Sequence, residues 1–254
     1  MPTASHETAA PPRSGFLGIL MLDTQFPRPP GDVGNAETFI RHGIPTRLLV
    51  VQGASPERIV KQADRSFLQP FIDGAVQLVQ AGAGMITTSC GFLAAYQDLL
   101  ADAVNVPVVT SSLLQCRDFA RPGVITIDSA ALTQRILDSV GVAPGTPVQG
   151  VEPGSEFHRR ILKNELQLDF SQAEKDVVDA ALRLISQHPE VEDIVLECTN
   201  MPPYRDAVAR ATGRRVHDIE TLLVARWGGG AVGRPANAKA VGCSTYDHNC
   251  HDMK

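Results

Sequence analysis

Short apolar runs alternate along this chain with longer segments whose apolar positions recur at helical spacing. The runs predict strands at Phe16–Leu22, Arg47–Gln52, Gly84–Thr88, Val106–Thr110, Gly123–Ile127, Val148–Glu152, Asp193–Glu197 and Arg215–Asp218. Several are unbroken Val/Ile/Leu stretches, the pattern of parallel strands covered by helices on both faces. The amphipathic segments predict helices near 66–82, 92–104, 130–140, 172–187, 203–212 and 219–227. In the first of these, Phe67, Phe71, Ala75, Leu78 and Gly82 share one face. Such βαβ alternation reads as an α/β fold with right-handed crossovers.

Breaks in the pattern suggest the domain organisation. Arg121-Pro122-Gly123 punctuates the middle, dividing a first α/β domain over 15–120 from a second over 121–227. The last helix is free to return onto the first half. Residues 1–14 are polar and Ala/Pro-rich, with neither the basic start nor the apolar stretch of a secretory signal. They read as a disordered tail on a cytoplasmic protein. After Trp227, Gly228-Gly229-Gly230 opens a stretch without periodicity, and 228–254 reads as a loose extension.

Composition narrows the function classes. With 43% hydrophobic and 20% charged residues in 254, the chain is globular in type, and no apolar run is long enough to span a bilayer. The 23 basic and 28 acidic residues leave a net charge of −5, which argues against a phosphate-backbone partner. Only 5% of residues are aromatic, which argues against a base-stacking surface. The 5 cysteines, at positions 90, 116, 198, 243 and 250, are odd in number and widely spaced. That pattern suits a reducing compartment better than a disulfide framework.

Ligands of open α/β sheets bind beyond the carboxyl ends of the strands, and two cysteines sit there. Cys90 follows the apolar Met85-Ile86 and the small polar Thr87-Thr88-Ser89. Cys198 follows Ile194-Val195-Leu196-Glu197 and precedes Thr199-Asn200-Met201-Pro202-Pro203. A helix follows each, and its N-terminal dipole is expected to favour the thiolate. A lone free cysteine is more often a small buried hydrophobe. Two in matching contexts point instead to a reactive pair, while Cys116, Cys243 and Cys250 lack that context.

These segments resemble the aspartate/glutamate racemase superfamily, which includes hydantoin racemases, maleate isomerases and arylmalonate decarboxylases. Thr88-Ser89-Cys90, Cys198-Thr199-Asn200, Asp23-Thr24 after the first strand, Pro107–Leu113 and Val216-His217-Asp218-Ile219 carry the resemblance, over most of 15–227. It implies two similar parallel-sheet α/β domains with the active site in the cleft between them. It also implies that Cys90 and Cys198 act as two bases on opposite faces of a carbon acid, with no metal and no pyridoxal phosphate. A homo-oligomer is common in the superfamily. Asn200 stands where glutamate racemases place a histidine, and asparagine cannot take up a proton; His217 is the candidate substitute.

Other residues suit a small carboxylate or cyclic amide substrate. Leu22–Phe39 is a long Pro/Gly-rich segment of the kind that forms binding loops. Within it, Arg28 matches a carboxylate in bidentate fashion. Asp23 can hold an amino group, orient a thiol or cap a turn. Thr110, Ser111 and Ser112, together with Thr88, Ser89, Gly91, Thr199 and Asn200 beside the thiols, offer donors to a carboxylate or to a developing enolate. The same residue types also serve as helix caps. Glu197 is expected to point away from Cys198 if the segment is extended. Asp247, His248, Cys250 and His251 are metal-capable but lack a second ligand pair, and the triple glycine lacks the lysine of a phosphate loop.

Three readings follow. The first is a cofactor-independent racemase or isomerase using a thiol and a thiolate. The second is a cysteine-dependent lyase or hydrolase on the same cleft, as in malonate decarboxylation or thiohydantoin desulfuration. The third is a non-catalytic binder of small carboxylates.

Overall fold

A computed structural model describes residues 14–229. The tail over 1–13, the extension beyond 229 and its metal-capable groups lie outside the described residues. The first half runs β1 (Phe16–Leu22), α1 (Glu37–Ile40), β2 (Thr46–Val51), α2 (Leu68–Gln80), β3 (Ala83–Thr88), α3 (Gln97–Ala103) and β4 (Val108–Val109). The second runs β5 (Pro122–Thr126), α4 (Gln134–Ser139), β6 (Val148–Gly150), α5 (Glu156–Leu162), α6 (Phe170–Gln187), β7 (Asp193–Leu196), α7 (Arg205–Thr212), β8 (Arg215–His217) and α8 (Ile219–Trp227).

Each half builds one four-stranded parallel sheet, in the orders β2-β1-β3-β4 and β6-β5-β7-β8. The same order occurs twice, so β3 and β7 are equivalent central strands. All seven residues of β1 are buried, as expected where helices cover both faces of a sheet. Helix α2 presses Phe71, Ala75 and Leu78 inward. Asp169 accepts bonds from the Ser171 and Gln172 amides to start α6, and Asp218 with Thr221 forms a capping box on α8. Helix α8 does return onto the first half, packing against α1 and a 3₁₀ turn at Ser112–Asp118.

Every expected strand exists, with ends displaced by at most two residues. The helices differ more. The segment expected at 92–104 opens as a 3₁₀ turn, Gly91–Tyr96, and becomes α-helical only from Gln97. The segment near 203 likewise opens with Pro202–Tyr204 in 3₁₀ form. The segment expected at 130–140 contracts to Gln134–Ser139. Helices α1 and α5 and a π-helical turn at Glu57–Lys61 were not expected; they are short, and only their tertiary contacts distinguish them from polar loop.

Polar bonds tie the halves together around the cleft. Ser112 Oγ donates to the Leu196 carbonyl at 2.7 Å, and Thr199 Oγ1 donates to the Ser89 carbonyl at 2.6 Å. At the cleft mouth Lys61 pairs with Asp128, and the Asn164 side chain bonds the backbone of Asp23 and Gln25.

Candidate active site

The equivalent strands β3 and β7 end side by side at the cleft. The Ser89 amide donates to Leu20 O at 2.9 Å, and the Glu197 amide donates to Ile125 O at 2.8 Å. These bonds extend each ladder by one residue and deliver Cys90 and Cys198 into the same pocket. Its wall includes Leu22, Phe26, Arg28, Ser89, Gly91, Glu197, Thr199 and Asn200, closed by Pro56, Phe92, Ile127, Ile161 and Leu162. The cavity is only about 20 Å³, room for about one water molecule.

Three polar side chains form a chain along one side. Arg28 pairs with Asp32 at 2.6 Å and lies over the Phe26 ring at 4.4 Å. Asn200 Nδ2 donates to the second Asp32 oxygen at 2.7 Å, while its Oδ1 accepts from Cys198 Sγ at 3.4 Å. Asp32 thus has a partner on both oxygens at 1% exposure. Gly34 leaves room for this arrangement, since a Cβ there would sit 2.7 Å from the Arg28 stem. Asn200 in place of histidine is therefore a positional bridge between the loop and the second thiol.

The expected lowering of the thiol pKa values is not found. Burial pushes Cys90 up to about 12, and the Glu197 carboxyl adds to the rise. The Phe92 and Leu93 amides and Arg28 do pull it down, but burial outweighs them. Cys198 is raised well above the ordinary thiol range by the same two causes, against the Asn200 amide. Cys90 adds to the rise at Cys198. With the cleft closed, both sulfurs are protonated at neutral pH.

Glu197 is the residue that strand alternation misplaced. β7 ends at Leu196, and Glu197, one residue on, lines the same pocket as Cys198 instead of the far side of the sheet. It is fully buried; Oε2 accepts from Thr126 Oγ1 at 2.8 Å, and Oε1 has no partner. Burial raises its pKa to about 8.

Several other expected site residues serve the scaffold. Asp23 accepts from the Gly53 amide at 2.9 Å and caps that turn, outside the pocket wall. Thr88 Oγ1 donates to Thr110 O and Cys90 O, bracing the thiol turn from behind. Ser111 caps the 3₁₀ turn at Leu113, Ser112 holds Leu196, and Thr110 binds Gln97. His217 pairs with Asp193 at 2.8 Å and stacks on Phe119, in register with Val195 inside the sheet rather than beyond its end. It does not line the pocket that holds Cys198. Cys116 is buried beneath its turn, and Cys90, Cys116 and Cys198 are all free thiols. Among the described residues no helix is long and apolar enough to cross a membrane, and no cluster of potential metal ligands occurs.

The chain shares its fold with solved structures of a decarboxylase and of racemases. It is similar to a single-site variant of arylmalonate decarboxylase, with a TM-score of 0.58 and 18% identity over 87% of this chain and 97% of that one. It is similar also to Picrophilus torridus aspartate racemase, with a TM-score of 0.51 and 13% identity over 84% and 93%. Allantoin racemase from Pseudomonas fluorescens has a TM-score of 0.51 and 15% identity, over 89% and 100%. No family model matches the chain.

Sequence relatives add a second name. A dimethylsulfoniopropionate lyase of Durusdinium sp. clade D is 28% identical over 217 residues, 80% of this chain and 70% of that protein. Dimethylsulfoniopropionate lyase 5 of Emiliania huxleyi is 26% identical over 226 residues, 82% of this chain but 44% of its own length. The chain therefore spans less than half of that algal protein.

Proposed function

We propose that this chain is a cofactor-independent lyase that removes the proton α to a carboxylate and expels a leaving group from the β carbon. The observation that carries this reading is the meeting of Cys90 and Cys198 in one small, closed pocket beside Arg28. The relatives named above favour a sulfonium leaving group, as in dimethylsulfoniopropionate.

The chemistry demands a base held close, dry and oriented, because an α-proton beside a carboxylate is very weakly acidic. In this reading the cleft opens to admit substrate, and Arg28 shares its guanidinium between Asp32 and the substrate carboxylate. The thiolate of Cys90 or Cys198 takes the α-proton, becoming a thiol. The C–H electron pair becomes the Cα–Cβ double bond, the bond from Cβ to sulfur breaks, and its electrons leave with the sulfide. An unsaturated carboxylate, a neutral sulfide and a protonated thiol result. A positive sulfonium in the pocket also opposes the burial penalty that keeps the thiols protonated. The base is restored when that thiol gives up its proton to water as the cleft reopens.

Purified protein given dimethylsulfoniopropionate is expected to release dimethyl sulfide and acrylate, measured by headspace chromatography. Cys90→Ser and Cys198→Ser are expected to lower the rate about 10²–10⁴-fold at whichever position supplies the base. Racemisation of a chiral carboxylate without release of sulfide, and loss of that racemisation in both variants, would move the assignment to the two-base isomerase.

A further inference from the structure

One carboxylate in the pocket is unused by this mechanism. Glu197 is fully buried and contributes to the pocket wall, yet Oε1 makes no hydrogen bond, while Oε2 is held by Thr126. Buried polar atoms are almost always partnered, because an unpaired one forfeits its hydration without return. The charged and titratable groups facing it are Cys90 and Cys198, with Arg28 farther along the wall and Asp32 behind it, held by Arg28 and Asn200. Arg28 is engaged by Asp32, and among the described residues no cation pairs with Glu197.

A negative charge at Glu197 is a burden to the reaction described above, since it raises the pKa of both thiols. A ligand that brought a positive charge would remove that burden. It would balance the carboxylate in a medium of low dielectric, where such pairs are strong and where neither charge is stable alone. The carboxyl is fixed by packing as well: Oε1 lies against the Cα of Gly91, where no side chain intervenes.

We propose that Glu197 is the specificity-determining residue for the substrate's positive head group, its free carboxylate oxygen pairing with the onium centre while Arg28 takes the carboxylate at the other end. The inference rests on the proposed lyase reading and deepens it. The cleft then selects zwitterions over simple anions of the same shape, and it does so at the leaving group.

The test compares two carboxylates that differ only in the charge of the head group: the zwitterion β-(trimethylammonio)propanoate, whose amine is a poor leaving group, and the simple anion 4,4-dimethylpentanoate, with carbon in place of nitrogen. Calorimetric titration of the wild type is expected to favour the ammonium ligand by about tenfold or more. Glu197→Gln keeps the size and the Thr126 contact; it is expected to bind both ligands equally, with affinity for the carbon analogue unchanged. That unchanged affinity reports an intact fold, and Glu197→Asp, which retains the charge, is expected to recover part of the preference. A preference that survives Glu197→Gln, or a wild type that has none, overturns the proposal. Sulfide release separates the two ideas. Turnover with the preference intact in Glu197→Gln refutes the role of Glu197 alone. A Glu197-dependent preference without turnover refutes the lyase reading alone.

Discussion

The carboxyl group of Glu197 rests against the Cα of Gly91, so closely that a methyl group there would lie 2.2 Å from Oε1 and 2.3 Å from the Glu197 carbonyl oxygen. One of those contacts is backbone at the end of a central strand, which cannot swing aside as a flexible side chain would. Gly91→Ala is therefore expected to push the β7 terminus away from the first half and to displace Cys198 with it. A loss of about 1–3 kcal/mol in stability is expected, as for other overpacked sites. Turnover should fall by more than the loss of folded protein accounts for. Urea denaturation and activity measured on the same preparation check both, and wild-type values for each would show that the contact relaxes freely.

Asn200 joins the loop to the second thiol. Asn200→Ala leaves one oxygen of buried Asp32 without its partner and removes the acceptor of the Cys198 thiol. Stability is expected to fall by about 1–3 kcal/mol, and kcat to fall more than KM rises, since Arg28 keeps its contact with Asp32. His217→Ala is the contrasting variant. It removes a partner of Asp193 that Arg215 still holds, and turnover is expected to stay within about twofold of wild type. Kinetics of both variants at one pH distinguish the positional bridge from the sheet residue.

These particulars explain what could be read from the sequence. The strands were legible because doubly covered parallel strands are written as unbroken apolar runs, and β1 is buried from end to end. The cysteine pair was legible because β3 and β7 hold equivalent places in a repeated topology, so the same strand-to-turn grammar recurs. The thiol pKa values were misjudged for a physical reason. The helix-start amides act locally and do pull downward, but burial is tertiary, and it is larger. Glu197 escaped because alternation along one strand does not report the tertiary packing that brings Thr126 and Gly91 against its carboxyl. Ser111, Ser112 and His217 have backbone and acidic partners that no local pattern in the sequence announces. The apolar walls at Phe26, Pro56, Ile161 and Leu162 come from distant segments and have no local signature.

Glu197 gives stability a pH dependence of definite sign. Its pKa is raised by burial from 4.5 to about 8, so the folded chain holds a proton that the unfolded chain releases between these values. Stability from this group is complete below the unfolded pKa and is lost as pH rises through the folded one, by up to about 1.4 kcal/mol per pH unit. Glu197→Gln has no such proton to lose. Relative to wild type, the variant is expected to gain stability steadily from about pH 5 to about pH 8 and to hold that gain above it. Denaturant midpoints across this range check the slope; parallel curves would show that Glu197 titrates normally.

Cys116 offers an internal standard for the motion of the cleft. It and Cys90 are both raised to about 12 by burial, yet only Cys90 lines the pocket. A shift of that size leaves about a thousandfold less thiolate near pH 8 than an ordinary protein thiol has. Alkylation by iodoacetamide is accordingly expected to be slow at Cys90, Cys116 and Cys198 alike. The cavity of about 20 Å³ is too small for substrate, so turnover requires the cleft to open, and opening exposes Cys90 and Cys198 while Cys116 stays under its turn. Peptide mass spectrometry over a time course is expected to find these two modified ahead of Cys116. A saturating zwitterionic ligand should slow modification of both and leave Cys116 unchanged. Equal rates at the three positions would mean that the reagent enters only by global unfolding, and the opening motion that the chemistry requires would have no support.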